Sequence, residues 1–272
     1  MERKMKYTQK DHTFAVCAWG KSEYLEECIR SLLDQTLGSR IILCTSTPDP
    51  FLEEIAARYD LPLFVHRKKT GIAADWSFAY KKARTELVTL AHQDDVYEPT
   101  FLEKTLKILS EEEHPLISFC DYYELRGGGK TCADENRNLR IKEWMLFPLR
   151  FRLGRKSIWC RRRILSLGNP ICCPSVTYVK ENLPGRIFAP DFQADLDWQA
   201  WERLSRLHGS FCYIPEMLMG HRIHGGSATT KVIGENRNRS REDLQMYRRF
   251  WPEWTSRLLN HFYAASQDKN QI

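Results

Sequence analysis

Short apolar runs alternate with helix-period segments through the first 120 residues. Phe14–Trp19 reads as a buried strand, followed by strands at Ile41–Thr45, Leu63–His66, Leu87–Ala91 and Leu116–Asp121. Between them Ser22–Gln35, the segment near Pro50–Tyr59, Ile72–Arg84 and Thr100–Ser110 read as helices. In the first helix Leu25, Cys28, Ile29, Leu32 and Leu33 recur at helical spacing, and Glu23, Glu26 and Glu27 sit near its positive end. This alternation predicts βαβ units and a mostly parallel sheet. Ligands of such sheets bind beyond the carboxyl ends of the strands. Cys17–Gly20, Thr45–Asp49 and His92–Asp95 are therefore expected to converge on one edge.

Further on the pattern loosens. Arg126–Asn138, with its three glycines, is predicted to be a loop, and a basic aromatic stretch follows to Arg163. A strand at Ser175–Val179, a helix at Asp195–His208 and a short strand at Phe211–Ile214 complete the series. No internal repeat is present. A chain of 272 residues, 42% hydrophobic and 28% charged, suits one globular domain or a core with a smaller appendage.

Charge changes this picture through its distribution. Residues 140–163 hold nine Arg or Lys against one acid, Glu143, and a second basic stretch runs from Arg237 to Arg249. Such patches suit anionic partners, whether phosphates, lipid head groups or nucleic acid, or simply form a solvated face. No nucleic-acid motif accompanies them. Phe151, Ile158 and Trp159 are interleaved with the first patch, and Met246–Trp254 has a similar character. Both are expected either to meet a membrane surface or lipid-pyrophosphate acceptor, or to pack on the catalytic domain. Nine cysteines without a C-x-x-C pair suggest reduced thiols, with adjacent Cys172 and Cys173 as small core residues. Met1–Asp11 is polar, and no run nears the roughly 20 apolar residues of a membrane span. A cytoplasmic protein, peripheral at most to the inner face of the membrane, is the expectation.

The strongest chemical feature is the apolar strand Leu87–Ala91 running into His92-Gln93-Asp94-Asp95. Two adjacent carboxylates at a strand end repel unless water or a cation compensates. Mg²⁺ or Mn²⁺ takes oxygen ligands, often carboxylates plus substrate phosphates. A solvated loop or a helix cap is the alternative reading.

Tyr24–Thr36 resembles the first helix of inverting family 2 glycosyltransferases of the GT-A fold. Gly71, twelve residues before Ala83, falls in the register of that family's glycine-led helix, and His92–Asp95 stands where the family has "DxDD". Asp195-Leu196-Asp197-Trp198 resembles its "ED" segment, and Gly220–Ser227 resembles its C-terminal "YRxHxxS" stretch. The resemblance covers residues 12–110 well and 165–230 more loosely.

It implies an α/β fold with a Rossmann-like, mostly parallel mixed sheet, flanked by helices and extended by C-terminal helices. Residues 1–125 are expected to bind the nucleotide sugar, 126–230 to form the acceptor half, and 231–272 to form the extension. It implies Asp197 as general base, with Asp195 its rival. Trp19, Ser46, Asp75, His92, Asp94 and Arg222 are implied on the donor, and Asp94, Asp95 and His224 on Mg²⁺ or Mn²⁺. Implied partners are a UDP- or dTDP-sugar and a carbohydrate or lipid-linked acceptor, in cell-surface polysaccharide or glycolipid assembly.

Some residues depart from the family pattern. His92 replaces an Asp, Thr45–Asp49 stands where many members have "DDGSTD", Ser77 replaces a frequent Asn, and Leu196 replaces a Glu. These departures leave open a catalytically impaired sugar-nucleotide-binding module on the same fold.

Overall fold

Backbone hydrogen bonding gathers the apolar runs into one sheet. The computed structural model describes residues 5–67, 71–127, 129–225 and 236–268. Met1–Lys4, Gly128, Gly226 and Ser227 of the segments discussed above, and residues 231–235 and 269–272 of the expected extension, lie outside the described residues.

The first half follows the alternation read from the sequence. Strand β1 (His12–Ala18) leads to helix α1 (Leu25–Leu33), β2 (Arg40–Thr45), α2 (Pro50–Arg58) and β3 (Leu63–Val65). Then come α3 (Ile72–Lys82), β4 (Leu87–His92), the short β5 (Val96–Tyr97) and α4 (Phe101–Glu111). Nearly every residue of β1 and β4 is buried, as a central strand covered on both faces must be. On β1, Phe14 and Val16 pack with Leu25, Ile29 and Leu102, while Ala15 turns to the opposite layer with Ala79, Tyr80 and Trp201. Asp49 caps α2 by accepting the Phe51 N–H, with Pro50 in the first turn.

The second half is built of β6 (Pro115–Arg126), β7 (Gly129–Thr131), α5 (Arg137–Leu146), α6 (Arg152–Lys156) and α7 (Ile158–Leu165). β8 (Thr177–Val179), α8 (Leu196–Leu204), β9 (Ser210–Arg222), α9 (Asn236–Arg248) and α10 (Glu253–Asp268) follow. Strand order is β3-β2-β1-β4-β8-β6-β9-β5, with β7 paired on β6. β1 to β4 are mutually parallel. β8 is antiparallel to both β4 and β6, so β6 and its parallel partner β9 run with the first four. The sheet is thus mixed and mostly parallel, with β5, β7 and β8 reversed.

Three expectations change. β6 is about twice and β9 about three times the length read from the sequence, because Tyr122, Tyr123, Leu218 and Met219 continue the buried pattern past a bulge. That bulge puts Pro215 and Glu216 outside, which hid the continuation. The predicted loop at 126–138 instead contains β7 and the Asn136 cap of α5. Only part of the basic stretch 140–163 faces solvent. Arg161 is buried and donates to the Gly209 and Leu207 carbonyls, Arg162 is paired with buried Glu202, and Arg155 donates to the Leu149 carbonyl. In the C-terminal stretch Met246 and Tyr247 are core residues, the Tyr247 ring standing edge-on to Trp198.

Candidate active site

Loops after β1, β2 and β4 meet in a cleft of about 710 Å³, a size typical of small-molecule sites. At one end the indole of Trp19 is exposed, while Gln93 pins its backbone by accepting the Trp19 N–H (2.9 Å) and donating to its carbonyl (3.1 Å). Ser46 Oγ donates to Asp75 Oδ2 (2.8 Å), and His66 Nδ1 lies 3.1 Å from the other carboxylate oxygen. Gly71, at φ +90°, starts α3 so that its first turn, with Asp75 and Trp76, faces the cleft. Trp19, Ser46, Asp75, His92 and Asp94 therefore share one cavity wall system.

The floor is the end of β4. The His92 ring stacks on Trp76 (5.1 Å between centroids), and its removal from water lowers its pKa, so the imidazole is neutral. Ligating atoms of His92, Asp94 and Asp95 all lie within 4.8 Å of one another. His92 Nε2 and Asp95 Oδ2 are buried with no hydrogen-bond partner. Two carboxylates, a neutral imidazole and two orphaned polar atoms fit a divalent cation, Mn²⁺ more readily than Mg²⁺ because of the nitrogen. Asp95 itself is fully buried and does not line the cleft. Its Oδ1 accepts from His221 Nδ1 (3.0 Å) and the Arg222 N–H (2.9 Å). Burial disfavours the Asp95 charge, but the His221 imidazole and these bonds outweigh it and hold its carboxyl below the usual range.

The R-x-H pair read from the sequence splits in two. His224 Nε2 lies 3.0 Å from Asp94 Oδ2 and lines the cleft, though it is not part of the three-residue cluster. Arg222, expected on the donor, is turned elsewhere. It donates to the Asp94 carbonyl (2.9 Å) and the Glu27 carboxylate (2.6 Å), with its guanidinium over Tyr24, and it is absent from the cleft lining. Its place in the fold is to brace the Asp94 turn. Close passage of β9 here requires Gly220, since a Cβ would come within 2.5 Å of the Tyr123 ring.

At the other end stand Asp195 and Asp197. Asp197 faces the cleft, and both its oxygens are oriented: Asn169 Nδ2 donates to Oδ2 (2.8 Å) and the Trp198 N–H to Oδ1 (2.7 Å). Desolvation raises its pKa above the ordinary carboxylate value. Asp195 also lines the cleft but is buried and hydrogen-bonded to Asp243, and burial together with that neighbouring charge raises its pKa well above the ordinary carboxylate value. Several lining residues escaped the sequence reading as site residues. Lys142 donates to the Tyr122 hydroxyl (2.8 Å), and Arg239 has a buried Nε without a partner. Trp76, hidden in the α3 periodicity, is another. Asn169 had no signal beyond its loop.

With this geometry in view, similarity to known proteins is informative. The family described as Glycosyl transferase family 2 matches residues 13–159. The chain belongs to this family. A relative in Erwinia amylovora, the amylovoran biosynthesis glycosyltransferase AmsE, is 27% identical over 237 residues, covering 84% of this chain and 80% of AmsE. The uncharacterized glycosyltransferase RP339 of Rickettsia prowazekii is 22% identical over 244 residues, covering 87% and 69%. Among solved structures, the mannosyltransferase PcManGT of Pyrobaculum calidifontis, in complex with GDP-Man and Mn²⁺, superposes with a TM-score of 0.63 at 14% identity, covering 95% of this chain and 70% of that one. S. aureus TarS 1–349 with UDP-GlcNAc gives 0.55 at 15% identity, covering 92% and 70%. The fold of this family 2 glycosyltransferase is therefore the GT-A arrangement. No helix among the described residues is long and apolar enough to cross a membrane.

Proposed function

We propose that this glycosyltransferase moves a sugar, with inversion at the anomeric carbon, from a nucleotide-diphosphate sugar to an acceptor hydroxyl. The observation that carries this reading is one cleft with an acidic cation-suited cluster at Asp94 on its floor and an oriented, cleft-facing carboxylate at Asp197. The nucleotide end is Trp19, Ser46 and Asp75, with the Trp19 indole offering a face for the base. The Asp75 carboxylate accepts hydrogen bonds from base or ribose, and neutral His92 reaches a hydroxyl. UDP- or dTDP-sugars are the donors we favour.

Asp197 takes the proton of the acceptor hydroxyl as its oxygen forms the new bond to the anomeric carbon. The bond to the diphosphate oxygen breaks, and both its electrons leave with the nucleotide diphosphate. A divalent cation held by Asp94, Asp95 and His92, with His224 alongside, supplies neutralisation of that charge when bound. Arg239 and Lys142 add positive charge on the acceptor side. In this division residues 1–125 bind the donor, 126–230 shape the acceptor side, and 231–272 close it. By likeness to AmsE the acceptor belongs to cell-surface polysaccharide or glycolipid assembly, on the cytoplasmic side of the membrane.

A panel of nucleotide sugars with Mn²⁺ or Mg²⁺, followed by nucleotide diphosphate release, tests the reaction. Asp94→Ala is expected to abolish metal-dependent donor binding and turnover. Full activity in that variant refutes the cation role. Binding without turnover across a broad acceptor panel instead favours the impaired module left open by His92 and Leu196.

A further inference from the structure

Helices α5 to α7 each give one side to the protein and leave large apolar side chains in water on the other. Trp144 is 75% exposed, Phe151 58%, Leu153 86% and Trp159 70%. A folded domain gains nothing from such exposure, and apolar groups gathered this densely mark an interaction surface. Their neighbours are mostly cationic: Arg140, Arg150, Arg152, Lys156 and Arg163 are exposed, Arg152 and Lys156 lie near buried Glu112 and Lys156 also near exposed Glu113, and Glu143, half-buried, is the only acid between residues 140 and 163. The face continues toward α10, because the Arg163 guanidinium lies over both Trp159 and Trp251. On α10, Trp254, Leu258 and Phe262 form a second exposed stripe at helical spacing.

We propose that this face docks the enzyme on an anionic phospholipid bilayer. Positive charge selects an anionic partner and disfavours a second copy of the same cationic face. Leu153 and Ile158, aliphatic and exposed, find hydrocarbon in a bilayer, whereas nucleic acid offers them no matching surface. Tryptophan and arginine together suit the headgroup boundary. The placement also matters for the cleft. α5 carries cleft-lining Lys142 two residues from exposed Trp144, and α10 carries cleft-lining Tyr263 beside exposed Phe262. Docking therefore sets the acceptor side of the cleft at the bilayer, as an acceptor borne on a lipid requires. That last consequence rests on the proposed function, whereas the docking does not.

Flotation of the full chain with vesicles tests it, using phosphatidylcholine alone and phosphatidylcholine mixed with phosphatidylglycerol. Co-flotation is expected only with the anionic vesicles and is expected to weaken as salt rises. Trp144→Ser with Leu153→Ser is expected to cut partitioning tenfold or more, with the thermal unfolding midpoint unchanged because neither side chain is buried. Arg140→Ser with Arg150→Ser is expected to lower it roughly fivefold per cation removed. The proposal is overturned if the wild type stays with the unbound fraction at low salt. It is also overturned if both double variants float as the wild type does, or if the face proves to drive self-association without vesicle binding. The readout is partitioning rather than turnover, so failure here leaves glycosyl transfer untouched.

Discussion

Asp195 and Asp197 stand two residues apart and face opposite demands. A general base must be ionised, oriented and in contact with the acceptor. Asp197 has two oriented oxygens on the cleft, whereas Asp195, also at the cleft wall, is buried against Asp243 with its pKa raised well above the ordinary carboxylate value. Asp197→Asn is expected to lower kcat by about 10²–10⁴-fold, with nucleotide binding unchanged. Asp195→Asn is expected to cost far less, and the reverse ranking, measured by donor turnover and calorimetry, exchanges the two roles. Burial raises the Asp197 pKa, so the acidic limb of the rate profile should lie above the ordinary carboxylate range of about 4. Activity is lost as pH falls through that value. Trp19, Ser46, Asp75, His92 and Asp94 could be placed near one another from sequence because each belongs to a strand end or to the turn of helix facing it. Lys142 and Arg239 could not, since they reach the cleft from helices docked by long-range packing. Arg222 illustrates the converse: the motif singled it out, but the Glu27 carboxylate across the fold decides where its guanidinium points.

At the scale of elements, legibility followed how local the determinants are. α1, α2 and α4 carry clear apolar stripes and the neighbouring β1, β2 and β4 are short and largely buried, so periodicity alone located them. β9 was cut short by Pro215 and Glu216, and α5 to α7 present apolar residues to solvent as well as to the core, which blurs their period. α9 was read from its residues as a basic stretch and from the family resemblance as part of a helical extension, but neither reading showed that it holds the loop before α8. Its Asp243 hydrogen-bonds to Asp195, and burial, the largest influence, raises the Asp243 pKa to about 6. A carboxyl whose folded pKa is raised stabilises the fold fully below its unfolded value, about 3.9, and loses that contribution as pH rises through the folded value. Asp243→Asn should therefore match the wild type near pH 4 and exceed it by about 3 kcal/mol near pH 8, as read by denaturant titration. Equal pH dependence in both proteins removes the shared-proton account of this contact.

For the whole molecule, the cleft is an alignment of two constructions. The walls proposed for the donor come from β1, β2, β4 and α3, all close in sequence, and those proposed for the acceptor come from α5, the segments 169–174 and 193–197, α9 and α10. Glu242 joins the last of these, its carboxylate accepting the Gln193 (3.0 Å), Ala194 (2.7 Å) and Asp195 (3.0 Å) backbone N–H groups. Nothing on the donor side touches that carboxylate among the described hydrogen bonds. Glu242→Ala frees three backbone donors next to Asp197, at a stability cost of about 1–3 kcal/mol because the cleft admits water. It also loosens the base by a fraction of an ångström, which transfer chemistry does not tolerate. Nucleoside diphosphate affinity with Mn²⁺ should stay within about twofold of the wild type while kcat falls tenfold or more. Calorimetry beside single-turnover kinetics separates the two quantities. If binding and turnover fall together, the donor and acceptor ends are not independent constructions, and the cleft must be treated as one cooperative unit extending through α9.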